Sequence, residues 1–287
     1  MLLSHITWTV DPTAFTIPFI NREVRWYGIL FVLGFAFGVW QVWKQWKYEK
    51  LNEDWFDKLF FYVIIATVVG ARLGHCLFYD PQYYLSHPIE ILKVWEGGLA
   101  SHGGTLGILI AIWIFSRKIT HKSMLWTLDR LVVPVGFVAA SIRLGNLMNH
   151  EVYGHATDVS WAFRFIENLR YWQAGYPPVF SEPSHPTQLY EAACYILTGC
   201  ICTWMYWKRK DYKYSGLIFG VFLIGIFFSR FIIEYWKNNQ EAFEEGMLLN
   251  MGQLLSLPFI IAGIWFVYKG LKAKKTDTFS SYQKKEA

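Results

Sequence analysis

The sequence predicts an all-α polytopic membrane protein with seven transmembrane helices and a small external head region. Three observations lead there. Hydrophobic residues make up 54% of the 287 and charged residues only 17%, against about 25% charged in a typical soluble domain. Seven apolar runs are each long enough to cross a hydrocarbon core, which takes about 20 residues. The lysines and arginines outside those runs are divided unevenly between alternate connections. The mean hydropathy of +0.22 is modest because 15 Trp and 17 Tyr lower the average while suiting the bilayer interface.

The predicted spans are 27–46, 55–79, 99–116, 124–147, 188–207, 215–236 and 253–271, forming one integral domain. No internal repeat is visible, which argues against a transporter built from inverted halves. Connections 44–58, 117–123, 208–213 and 269–285 carry 17 Lys and Arg, whereas 1–26, 80–98, 148–187 and 237–252 carry 6. The positive-inside rule therefore predicts an N-terminus outside and a cytoplasmic C-terminus, with 272–287 as a cytoplasmic tail that meets anionic lipid at most in passing. The 148–187 loop becomes the external head, and Pro177, Pro178, Pro183 and Pro186 predict an extended, non-helical path through it. The opening "MLLSHITWTVDPTAF" lacks a basic start, a long apolar core and a small-residue cleavage site, so no cleaved signal is expected. The net charge of +5 arises outside the spans and does not point to nucleic acid. Cys76, Cys194, Cys200 and Cys202 lie in apolar runs without disulfide or metal spacing and read as small buried hydrophobes.

Four basic residues fall inside spans: Arg72, Arg130, Arg143 and Arg230. Each costs at least about 2.5–3.5 kcal/mol on insertion scales, so each needs a partner or a task. Arg130 adjoins Asp129 near the cytoplasmic end of its run, which fits a local structural role with snorkelling. Arg72, in "GARLGH", suits a packing network and a ligand contact equally. Arg230 and Glu234, in "SRFIIEY", are four apart and can pair on one face, either structurally or at a site. In "SIRLGNLMNHEVYG" (141–154), Arg143 and Asn146 share a face, with Asn149, His150 and Glu151 just beyond. These side chains offer many donors and little compensating charge within the helix, which suits an anion.

"EGGLASHGGTLG" places His102 among glycines. Close helix packing explains the glycines; a histidine at the outer edge of a span can also serve as a proton acceptor. "SHPTQLYEA" sets His185 before the fifth span and Glu191 in its first turns, where a carboxylate favours the helix dipole. Trp26 and Tyr27, in "VRWYG", fit an interfacial aromatic belt. Taken together, Tyr27, His102, Arg143, Asn146, Glu151, Arg230 and Glu234 gather toward the outer leaflet. They read as a site for a negatively charged headgroup, reached from outside and from the membrane. An anion transporter or channel with an arginine cage, an intramembrane hydrolase and a lipid-binding scaffold are the alternatives. Against the hydrolase, neither Gly-x-Ser-x-Gly nor His-Glu-x-x-His occurs.

At these residues the chain resembles the prolipoprotein diacylglyceryl transferase family. "SIRLGNLMNHEVYG" is similar to the family signature, with Gly-Arg-x-Gly-Asn-x-x-Asn-x-Glu at its centre. "RWYGILFVLG", "GARLGHCLFYD", "EGGLASHGGTLG", "HPTQLYEA", "SRFIIEY" and "MGQLLSLP" extend the likeness over nearly the whole chain. The resemblance implies a seven-helix enzyme of the bacterial plasma (inner) membrane. Such an enzyme moves the diacylglyceryl group of phosphatidylglycerol to the lipobox cysteine of a prolipoprotein signal peptide, without metal or cofactor. It implies a headgroup role for Arg143, with Asn146, Glu151 and Arg72 as further substrate contacts, and catalytic roles for His102, Tyr27, Arg230 and Glu234. The chain departs from the pattern in four places. Ser141 stands where Gly is common, His150 where a small residue is usual, and Lys237 in place of a frequent Arg. Ile226 stands one turn before Arg230, where some members carry a functional Tyr, so that Tyr's role does not carry over.

Overall fold

The computed structural model describes residues 5–238 and 247–286. Residues 239–246, part of the 237–252 connection, lie outside it. The protein is mostly helical. Its long helices are α1 (Trp26–Tyr48), α2 (Glu53–Phe78), α4 (Ser101–Phe115), α5 (Met124–Met148), α7 (Thr187–Trp207), α8 (Leu217–Ile233) and α9 (Met251–Glu286), with the short α3 (Pro81–Ser86) and α6 (Leu169–Gln173) between them. Among the described residues, six helices are long and apolar enough to cross a membrane. Only 17–44% of each apolar stretch is buried inside the protein. Water would not tolerate so much exposed apolar helix surface, so the chain is a polytopic membrane protein. The predicted fifth span, 188–207, does form a helix but is not among the six. Gln188, Glu191 and several Tyr and Trp side chains lower its hydropathy.

Three further expectations are corrected. The fold is not all-α, because four short strands occur: β1 (Ile6–Thr7), β2 (Thr13–Ile17), β3 (Arg22–Arg25) and β4 (Phe163–Arg164). β1 pairs in parallel with β4, and β2 with β3 as an antiparallel hairpin. The 148–187 segment is therefore no plain extended path. It carries β4 and α6 and is tied to the N-terminal residues, with Ile6 N–H donating to Ala162 O (2.8 Å) and Trp8 N–H to Arg164 O (3.0 Å). The 272–287 tail, moreover, continues α9 to Glu286. Nothing in that segment breaks a helix, since it contains no Gly or Pro.

The chain divides into two compact units, Met1–Val42 with Leu131–Ala287, and Trp43–Arg130. In the second unit α2 and α4 cross at Gly70, Gly74, Gly103 and Gly107. A Cβ at Gly74 would lie 2.7 Å from the Gly103 Cα; small residues spaced four apart allow this approach. At the other end of that unit Arg130, 2% exposed, pairs with Glu49. It donates to Trp126 O (2.7 Å) and stacks on the Trp126 ring at 3.8 Å, which agrees with a local structural role.

Candidate active site

In the first unit the polar end of α5 is shaped by how that helix terminates. Glu151 N–H donates to Asn146 O and His150 N–H to Leu147 O, both at 3.1 Å, closing a Schellman motif. His150 occupies the left-handed position (φ 55°) that glycine or asparagine usually fills. Its buried ring is held on both sides: Nδ1 accepts from Ile166 N–H (3.0 Å) and Nε2 donates to Val10 O (2.9 Å). That pairing needs a neutral imidazole, and burial holds its pKa below the ordinary 6.5. Val152 is also left-handed (φ 63°), a conformation that strains a β-branched residue by about 1–3 kcal/mol. The start of α7 secures it, with Gln188 Nε2 donating to Glu151 O (2.7 Å) and Thr187 Oγ1 to Val152 O (3.0 Å).

This reversal brings α5 against α7 with their charged residues facing. Arg143 Nε lies 2.7 Å from Glu191 Oε2, and Glu191 is fully buried. Arg143 Nη1 donates to Asn146 Oδ1 (3.2 Å), and the Tyr195 hydroxyl lies beside its guanidinium. Asn146 Nδ2 donates to Glu151 Oε1 (2.9 Å), which Asn149 Nδ2 reaches as well (3.2 Å). On the far side Lys237 Nζ sits 3.6 Å from Glu191 Oε1 and 3.8 Å from Glu234 Oε2. Arg230 Nε stands 4.0 Å from Glu234 Oε2, an electrostatic contact too long for a hydrogen bond. One chain of charges thus runs from Glu151 through Arg143, Glu191, Lys237 and Glu234 to Arg230.

Lys237 reaches this place through Gly154. The two form an antiparallel bridge, His155 N–H donates to Trp236 O (2.8 Å), and a Cβ on Gly154 would fall on the Trp236 carbonyl oxygen. Glu234 is set by the first turn of α9, where its carboxylate lies over Gly252. That turn is fixed by a capping box, with Gln253 N–H donating to Asn250 Oδ1 (2.9 Å) and Asn250 N–H to Gln253 Oε1 (3.1 Å). The "MGQLLSLP" motif therefore begins a helix that supports Glu234.

Six of the predicted site residues lie in this unit. Arg143, Asn146, Glu151, Arg230 and Glu234 belong to the charged chain, and the Tyr27 ring rests on α5 at Gly145, where a Cβ would be 2.7 Å from Tyr27 Cδ2. His102 and Arg72 belong to the other unit. His102 is exposed on the first turn of α4, stacked 6.1 Å from Tyr79 and edge-on to Phe78. Arg72 is buried and occupied: it donates to the carbonyls of Ile91, Gly97, Gly98 and Glu90 at 2.5–3.3 Å and lies over Tyr84. Its guanidinium clips 90–98 onto α2, with four of its five N–H groups committed to those carbonyls. Glu191, Lys237 and Tyr195 were not singled out as site members. Glu191 could have been, because a buried arginine in a membrane calls for a carboxylate, and the helix-dipole reading of Glu191 missed that demand.

A protein-family model described as "Prolipoprotein diacylglyceryl transferase" matches residues 12–269. A Porphyromonas gingivalis protein named phosphatidylglycerol–prolipoprotein diacylglyceryl transferase is 53% identical over 97% of this chain and 99% of its own length. Proteins of the same name from Chloroherpeton thalassium (43% identical; 96% and 98% covered) and Tolumonas auensis (44%; 93% and 98%) are also similar. The match takes in α1 through α8 and every residue of the charged chain, and the chain belongs to the prolipoprotein diacylglyceryl transferase family.

Proposed function

We propose that the protein transfers the diacylglyceryl group of phosphatidylglycerol to the lipobox cysteine thiol of a prolipoprotein, the first step of bacterial lipoprotein maturation. The sulfur attacks the glycerol carbon that carries the phosphate. The carbon–oxygen bond breaks, a thioether forms, glycerol phosphate leaves, and the thiol proton passes to a base. The Arg143 network is the observation that carries this reading. Its three cations, Arg143, Lys237 and Arg230, surround two buried carboxylates, Glu191 and Glu234. Glu151 is exposed at the rim, its carboxylate held by two amides. The interior thus keeps one positive charge in excess, which suits a phosphodiester monoanion and the charge that develops on its leaving oxygen.

In this reading Arg143 is the principal headgroup contact, with Asn146 and Glu151 setting its orientation. Tyr27, Arg230 and Glu234 complete the site. A thiol with a pKa near 8.5 reacts as the thiolate, and His102, an exposed imidazole at the start of α4, is assigned as proton acceptor. The 17-to-6 division of basic residues supports a plasma-membrane protein with the N-terminus and 148–187 outside and the C-terminus in the cytoplasm. That orientation needs seven crossings. α7, at 21 residues and about 1.5 Å per residue, is long enough to be the seventh. The decisive assay supplies the purified protein with phosphatidylglycerol vesicles and a lipobox peptide. Diacylglyceryl thioether and free glycerol phosphate in equal amounts are expected; binding of lipid without either product would overturn the assignment.

A further inference from the structure

A second polar site adjoins the charged chain in the same unit. A groove of about 670 Å³ opens where α5 ends and α1 begins, with Arg25, Asn149, Glu151, Glu167, Arg170 and Tyr171 among its walls. Its size is that of a ligand site, roughly 300–1,000 Å³. Its walls come from β3, the α5 reversal and α6 and carry four charged side chains, Arg25, Glu151, Glu167 and Arg170, which suit a polypeptide with polar groups better than an acyl chain. Glu151 belongs both to this groove and, through Asn146, to the Arg143 network. A chain whose sulfur reacts at that network can therefore pass Glu151 and continue into the groove.

The charges in the groove are not equally committed. Glu151 is held by Asn146 and Asn149, and Glu167 accepts from the Tyr153 hydroxyl (3.3 Å). Arg25 has only a loose, exposed contact with Glu23 at 3.8 Å, and Arg170 is exposed, without an ion pair among the described residues. Asn149 Oδ1 is a buried acceptor without a hydrogen-bond partner. Tyr171, 67% exposed, stands edge-on to Tyr176 at 6.1 Å and offers an aromatic rim. Two uncommitted guanidiniums at the rim suit a carboxylate.

We propose that this groove binds the acceptor polypeptide just beyond its lipobox cysteine, and that Arg25 and Arg170 favour a segment carrying an acidic side chain. The proposal rests on the function proposed above. An extended chain advances about 3.3 Å per residue, so a handful of residues occupies the groove.

The test compares kcat/KM for three lipobox peptides presented with phosphatidylglycerol vesicles. One ends directly after the cysteine, one continues with an acidic segment, and one continues with a lysine-bearing segment of equal length. Wild type should prefer the acidic extension to the lysine-bearing one by about three- to tenfold, the range that two partly exposed ion pairs supply. In an Arg25→Ser/Arg170→Ser variant the three peptides should converge. Arg25→Glu/Arg170→Glu should invert the preference between the two extensions, an outcome that general damage to the fold cannot produce. Equal use of all three peptides by wild type, or an unchanged preference in both variants, would overturn the groove assignment while leaving the transfer reaction intact. Absence of thioether from every peptide in wild type would instead remove the function on which the proposal rests.

Discussion

Arg143 combines two tasks that the sequence presents as alternatives, pairing within the bundle and receiving an anion. Its Nε serves Glu191 and its Nη1 serves Asn146, which fixes the plane of the guanidinium before a lipid arrives. Arg143→Ala would leave the buried Glu191 with Lys237 at 3.6 Å as its remaining cation. We expect losses of about 3–5 kcal/mol in stability and of transfer activity. Arg143→Lys keeps the charge but not the planar fork, so it separates the tasks. Its melting temperature should remain near wild type while kcat/KM for phosphatidylglycerol falls at least about tenfold, in line with a loss of 2–5 kcal/mol for a truncated buried pair. Normal lipid affinity with a lowered melting temperature would assign Arg143 to the bundle alone. His102 gives a second prediction. His102→Asn should lower the chemical step by about 10²–10⁴-fold with lipid binding retained; near-normal turnover across neutral pH would place the base elsewhere.

Among the elements, the end of α5 holds the site in shape, and it depends on a neutral histidine in a glycine-like position. Because burial depresses the His150 pKa below 6.5, the folded state resists a proton that the unfolded chain accepts. The stabilisation is complete above about pH 6.5 and is lost as the pH falls from there through the lower folded value. Thermal unfolding followed from pH 7.5 to 5 should show a declining midpoint. The decline should be shallower in His150→Asn, which tolerates the left-handed backbone but has no titrating ring. Equal slopes for the two proteins would show that His150 does not carry this pH dependence. The α9 capping box works in the same way on the other side of the network. A cap of this kind contributes about 1 kcal/mol, and here it also sets where the carboxylate of Glu234 lies.

For the whole molecule, orientation is the property most open to a direct test. With the four native cysteines removed, single cysteines near Asp158 and near Asp277 would be treated with a membrane-impermeant thiol reagent in intact cells. Labelling near Asp158 alone is expected; labelling near Asp277 alone would reverse the orientation. The comparison also tests α7 as a crossing, because an even number of spans would put the two termini on the same side.

Hydrophobic run length was enough to locate the long helices within a few residues at every end but the C-terminal end of α9, because a bilayer span is a local property of about 20 consecutive residues. The motif around Arg143 was legible for a related reason: charge is costly in an apolar run, so charged residues there are few and conspicuous. The strands were not legible. β1 and β4 are two residues each and pair across more than 150 positions, and neither shows a period of its own. The 272–286 helix was missed because a charged, apolar-poor segment reads as a solvated tail even when nothing in it breaks the helix. Only the tertiary structure decided which charges meet. Glu191, read alone, was a dipole partner and Lys237 a departure from a pattern, until the Gly154 bridge and the α5 reversal brought both beside Arg143. Pairing energy depends on distance and burial in three dimensions, and those come from the packed fold.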